Sequence, residues 1–314
     1  MDGLPGGAEP AGFETWAGFS VIGTLSFVLG FAMNYGSICT FIATTELVSE
    51  RRPARFLALA ECAVWAGVGY IVLDTLPTMH AEWSPLLHMV SAAILFGVGV
   101  YVNGACVFGS VGHFGNGDLE FGFTFLGILV ILSLDFALEF RPAPMPISAA
   151  PPLALGALLV VLSVFLFLRL GVSFRSETNF RRLTLAMGTI GITSATLSEF
   201  APRFSITTSI GSMLSIPVTS SLIFVCMFGG SLVSARIRGH RFSLTWPTWG
   251  SVARRITGGM LMGFGALLIP GGNDTLLLVG LPMGAWQALI AYLLMVAALA
   301  ALIVGFGSAA RSWS

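Results

Sequence analysis

Lysine is absent from this chain: all 15 basic residues among its 314 are arginine. Charge of either sign is scarce. Charged residues make up 10% of the sequence, against about a quarter in soluble domains. So few charges cannot cover the surface of a soluble protein of this length. The formal net charge is zero, which points to no polyanionic partner, nucleic acid included. Cysteine is limited to Cys39, Cys62, Cys106 and Cys226, with no CxxC pair and no zinc-type spacing. The four histidines are scattered, and there is no HExxH, no GxxxxGK phosphate loop and no Gly-x-Ser-x-Gly elbow. These absences exclude the common metalloprotease, ATP-driven and serine-hydrolase readings. The chain reads as a non-enzyme with no cofactor and no metal. A basic n-region is missing as well: residues 1–15 are acidic and rich in Gly and Pro, expected as a short disordered lead-in rather than a signal peptide.

What is present is apolar. Hydrophobic residues make up 55% of the chain, and mean hydropathy is +0.89. A bilayer is therefore the solvent for most of it. Residues 16–314 read as one transmembrane domain of an all-α, polytopic membrane protein. Uninterrupted spans are expected near 17–34, 56–76, 122–140, 150–170, 183–200, 218–235 and 284–305. The stretches 86–112 and 256–282 are apolar but broken by Gly, Pro or Asn, and 36–48 is irregular. Arginines cluster in three connections, at 51–55, 169–182 and 236–255, which hold 12 of the 15. The positive-inside rule places these in the cytoplasm, with the N-terminus and the 77–85 loop outside.

The chain is expected to hold two pseudo-repeated halves, about 17–170 and 183–305. LFGVGVYVNGACVFGS (95–110) matches LMGFGALLIPGGNDTL (261–276), with Gly97 and Gly99 on Gly263 and Gly265. Gly104-Ala105-Cys106 falls within a residue of Gly271-Gly272-Asn273. A weaker echo links 26–41 to 184–200. Irregular backbone at membrane depth is tolerated where protein buries it or where it lines a watery path. Paired broken or re-entrant helices in corresponding halves point to a transporter's binding site. The candidate path residues are Cys39, Asn103, Gly104, Cys106, Gly272 and Asn273. Thiols can meet a soft solute, helix-start amides can attract an anion, and Asn273 is expected to donate to the solute. The competing reading is close packing through small residues, as at Gly259-xxx-Gly263, with the thiols merely buried. Cys62 and Cys226, in mid-helix, read as inert packing residues. Among the acids, Asp135 with Glu139 beside Arg141, and Glu199 with Arg203, read as interfacial pairs; Asp274 fits no interface.

At GFAMNYGSICTF, FGVGVYVNGACVFGSVGHFGNG and GGMLMGFGALLIPGGNDTLLLVGLP the sequence resembles the YeeE/YedE family of bacterial inner-membrane transporters. The resemblance covers about residues 20–305 and implies passage of thiosulfate or a similar sulfur compound. It implies a thiol at each break, with Cys39 at the first and Cys106 at the second. The third, where the family commonly has Gly-Cys-Asn, reads Gly271-Gly272-Asn273-Asp274 and lacks the thiol. Transport of a small inorganic sulfur-containing anion across the cytoplasmic membrane is the resulting expectation, with the bilayer as the other partner. A cytoplasmic sulfur carrier is left open as a partner. The alternatives are a non-transporting accessory protein of the same fold, and a channel for another small solute.

Overall fold

The computed structural model describes residues 16–74, 82–83, 85–138, 145–146, 155–173, 180–200, 204–239, 244–269 and 271–307. The 1–15 lead-in, Glu139, Arg141 and Arg203 lie outside them. In the first half, α1 (Trp16–Gly36) is followed after three residues by α2 (Thr40–Ser49), then α3 (Ala54–Val72). Next come α4 (Leu86–Asn103), a second three-residue break, α5 (Val107–Asn116) and α6 (Gly122–Leu138). The helix α7 (Leu155–Ser173) leads into the second half. There α8 (Phe180–Phe200) precedes the short α9 (Ile206–Gly211), then α10 (Pro217–Ile237). The helix α11 (Trp249–Leu268) precedes α12, which opens at Asn273–Thr275 and runs on as a π turn over Leu276–Gly280. The last helix is α13 (Trp286–Phe306). Two connections pair as short antiparallel strands, β1 (Glu82–Trp83) and β2 (Met145–Pro146), in the register Glu82 to Pro146 and Trp83 to Met145.

Among the described residues, five helical stretches are long and apolar enough to cross a membrane, and six if α11 and α12, bent by 47°, form one span. The fold is that of an all-α polytopic membrane protein with repeated halves. Helices stand at the expected positions, although α6, α7 and α8 are not among those five or six stretches; two boundaries also differ. The helix α11 starts at Trp249 because Thr248 caps it: its hydroxyl accepts the Ser251 N–H, and Ser251 returns the bond to the Thr248 N–H. The 36–48 segment is mostly helix, and its irregularity is confined to residues 37–39.

The halves exchange partners. The helix α1 packs on α10 as α8 packs on α3, and α4 packs on α13 as α11 packs on α6; α1 meets α8, and α4 meets α11. The glycines aligned from sequence obey the same exchange. A β-carbon on Gly99 would stand 2.7 Å from the Met262 nitrogen on α11, and one on Gly265 would stand 2.7 Å from the Phe96 Cβ on α4. Gly97 faces Met295 on α13, as Gly263 faces Ile128 and Ile131 on α6. Bare glycine faces let helix backbones approach where lipid supplies no hydrophobic drive to associate. The packing alternative is thus real for these glycines, and it positions the breaks.

Candidate functional site

Four helix starts form one linked polar junction. The breaks before α2, α5 and α12 each use a left-handed residue: Ser37 (φ 51°), Gly104 (φ 75°) and Gly271 (φ 79°). Glycine takes this conformation freely, whereas Ser37 bears a cost of about 1 kcal/mol. Arg182 holds Ser37 there, donating to its hydroxyl (3.1 Å) and to the Tyr35 carbonyl (2.7 Å). At the second break the Gly104 N–H closes the end of α4 on the Val100 and Tyr101 carbonyls. The helix-start positions are Cys39, Cys106, Ser205 and Gly272.

The first two starts are joined through sulfur. The Thr40 N–H donates to the Cys106 sulfur (3.2 Å), and the Cys106 N–H donates to the Cys39 sulfur (3.4 Å). Both cysteines are free thiols and buried. The Asn273 side-chain amide donates to the Thr40 hydroxyl (3.3 Å), which links the fourth break to this pair. The other two starts are joined through oxygen. Asp274 accepts the Thr207 N–H (2.9 Å) and the Thr207 hydroxyl (2.7 Å), and the Thr275 hydroxyl donates to the Ser205 hydroxyl (2.7 Å). Two buried polar atoms lie beside the thiols: Asn273 Oδ1, which has no hydrogen-bond partner, and the Tyr292 hydroxyl, which faces Thr40.

The expected path residues divide on this geometry. Cys39, Cys106, Gly272 and Asn273 lie at or against the junction. Asn103 does not offer free polar groups: its amide donates to the Ala105 carbonyl (2.7 Å) and the Ser110 hydroxyl (3.0 Å), and its oxygen accepts from Thr124 (2.7 Å). It braces the break. The Gly104 amide is likewise consumed by the helix end. Asn273 spends one amide N–H on Thr40, and its oxygen is left without a partner. Thr40, Ser205, Thr207 and Tyr292 escaped the sequence reading. Ser205 and Thr208 form a capping box, a signal legible as Ser-x-x-Thr, though no Gly announces that break.

Cationic side chains ring the thiol side. A small, partly open crevice of about 10 Å³ reaches Cys39 between Gly36, Ser37, Ile38, Arg55, Leu59 and Met187. Arg238 donates to the Asn34 carbonyl (2.5 Å). A β-carbon on Gly104 would stand 3.3 Å from Arg255 Nη1. Arg255 is held in turn by Glu120 and covers the Phe121 ring (3.7 Å). Partial burial pushes the Glu120 carboxyl up, but its bonds with Arg255 and Ser251 outweigh that and hold it below the usual range. Asp118 is held low in the same way, by His113 and Thr245 against partial burial.

Of the acids, Glu199 is exposed and Asp135 is buried; the partners expected for them, Glu139, Arg141 and Arg203, lie outside the described residues. Glu61 is buried and ion-paired with Arg169 on α7; Trp65 donates to its other oxygen (3.0 Å). Such a pair tends to specify the seat of a helix more than it stabilises the fold.

A family model described as sulphur transport matches residues 35–151 and again 146–301. The chain belongs to the sulphur transport family, that of YeeE/YedE. The two matches of the sulphur transport family follow the two halves that exchange helix partners. None of the curated proteins compared with the chain matches it.

Proposed function

We propose that the protein passes a small inorganic sulfur-containing anion, thiosulfate-like, across the bacterial cytoplasmic membrane through the four-break junction. The observation that supports this best is the thiol pair at two facing helix starts, beside an arginine-bearing crevice. A terminal sulfur is a soft, weakly hydrated acceptor, which a thiol can meet with little desolvation. Helix-start amides and the nearby guanidinium groups offset its charge. Cys39 and Cys106 would make the S–H contacts, with Asn273 and Gly272 on the facing side. In this reading the protein is a transporter and not an enzyme. If α6 and α7 cross as well as α1–α2, α3 and α4–α5, five crossings precede α8, so α8 would run opposite to α1 and the repeats would be inverted. The β1–β2 pairing and the bridge between Asp118 and Thr245 each join two connections that this parity places on one side.

Purified protein in liposomes tests the reading. Saturable uptake of radiolabelled thiosulfate is expected, reduced by Cys106→Ala. Absence of flux for thiosulfate, sulfite and sulfide alike would refute transport and favour the accessory alternative.

A further inference from the structure

The two halves close their junctions with different chemistry. In the first half both helix starts carry sulfur. In the second, Gly272 occupies the place of Cys106 and has no side chain. A β-carbon there would stand 2.6 Å from the Thr207 hydroxyl and 2.8 Å from Asp274 Oδ1. A carboxylate and a hydroxyl therefore fill the volume that the repeat gives to a thiol.

Asp274 is fully buried. The bonds it accepts come from Thr207 and from backbone amides, and no ion pair reaches it among the described residues. Glu61, equally buried, has Arg169. A charge without a cation at membrane depth is expensive and marks function. Asp274 is also wired to the thiols: its neighbour Asn273 bonds to Thr40, whose N–H bonds to the Cys106 sulfur. The Asn273 oxygen next to it is buried and unpartnered.

We infer that Asp274 is the proton-carrying station of this path, loaded from the outer side and discharged to the cytoplasm as the anion passes. The inference rests on the transport reading above. An entering anion moves against an inside-negative potential, and a fixed carboxylate at the junction repels it. Protonation of the carboxylate to the neutral acid removes the repulsion and carries one compensating charge. Release of the same proton inside restores the carboxylate, and no other bond changes. The titratable groups on the elements around it include Cys39 and Cys106 at the first-half starts, His113 on α5, Tyr292 on α13, Asp135 on α6 against α9, and on α3 Cys62, Tyr70, Arg55 and Glu61, the last closed by Arg169.

The test uses full-length protein in liposomes with the membrane potential clamped at zero and a pH gradient imposed, alkaline inside. Wild type should accumulate radiolabelled thiosulfate about tenfold per pH unit if one proton accompanies each anion. Asp274→Asn should lose the response to the gradient, its thiosulfate level being the same with and without it. Thr207→Val deletes a donor to the carboxylate, which favours the protonated form, and should move the pH midpoint of flux upward; a merely structural hydroxyl would not. Wild-type flux indifferent to the gradient overturns the inference and leaves transport standing. If wild type carries no thiosulfate, the transport reading fails, and infrared pH-difference spectra decide Asp274 separately. A titrating carboxyl band lost in Asp274→Asn supports a proton site there; no such band overturns it.

Discussion

At the scale of single residues, the thiol pair can be separated from its scaffolding. Cys106→Ala removes a sulfur and leaves the backbone amides in place, so folding should persist, Ala being small and helix-tolerant. Loss of one hydrogen bond to a charged solute is worth about 1.5–3 kcal/mol, a fall of roughly ten- to a hundredfold in uptake at low concentration. Growth on thiosulfate of a bacterium lacking its own sulfur-uptake systems measures it, with Cys226→Ala as an unaffected control. Equal growth with Cys106→Ala at equal expression would remove the thiol from the path. Gly272→Cys should not improve uptake, because its Cβ meets the Thr207 hydroxyl and Asp274. Gly109→Ala should act like a cysteine lesion, since its methyl would press on the Cys39 sulfur. Cys39, Cys106 and Asn273 were legible as candidates because each sits in a Gly- or Asn-marked break. Thr40, Thr207 and Tyr292 were not, since a hydroxyl in an apolar run gives no sign of its partner.

At the scale of elements, helix contacts through glycine set the frame. Gly191 is packed so that an added β-carbon would stand 2.6 Å from the Ala66 nitrogen, whereas Gly250 has open space. Gly191→Val should therefore part α8 from α3 and lower stability by about 1–3 kcal/mol, with Gly250→Ala near neutral. Thermal unfolding in detergent compares them. The link from Glu120 to Arg255 should depend on pH with a definite sign. The folded Glu120 carboxyl is held below its ordinary value of 4.5, so its contribution is present above that value and is lost as pH falls through the lowered one. The gap in unfolding temperature between wild type and Glu120→Gln should stay constant from neutral pH down to about that value and close below it. A gap that widens in acid would refute the assignment.

At the scale of the whole molecule, the charge pattern predicts sidedness. Single cysteines introduced at Arg52 and Gly250 should resist an impermeant reagent added outside intact cells, and one at Glu82 should react. The opposite pattern would invert the topology and with it the direction assigned to proton loading.

The sequence by itself determined the class of the protein. Scarce charge, apolar runs of spanning length, clustered arginine and a repeated Gly pattern are local or statistical properties, and the bilayer turns them into spans. It also marked three of the four breaks, because Gly, Asn and Pro act on their own backbone. Only the tertiary structure decided which breaks share a junction, that Asn103 is a brace, that the break before α9 is capped by Ser205, and that Glu61 finds Arg169 on α7. Those contacts join residues far apart in the chain, and a buried polar group's partner is chosen by the packing of helices, which no local pattern encodes.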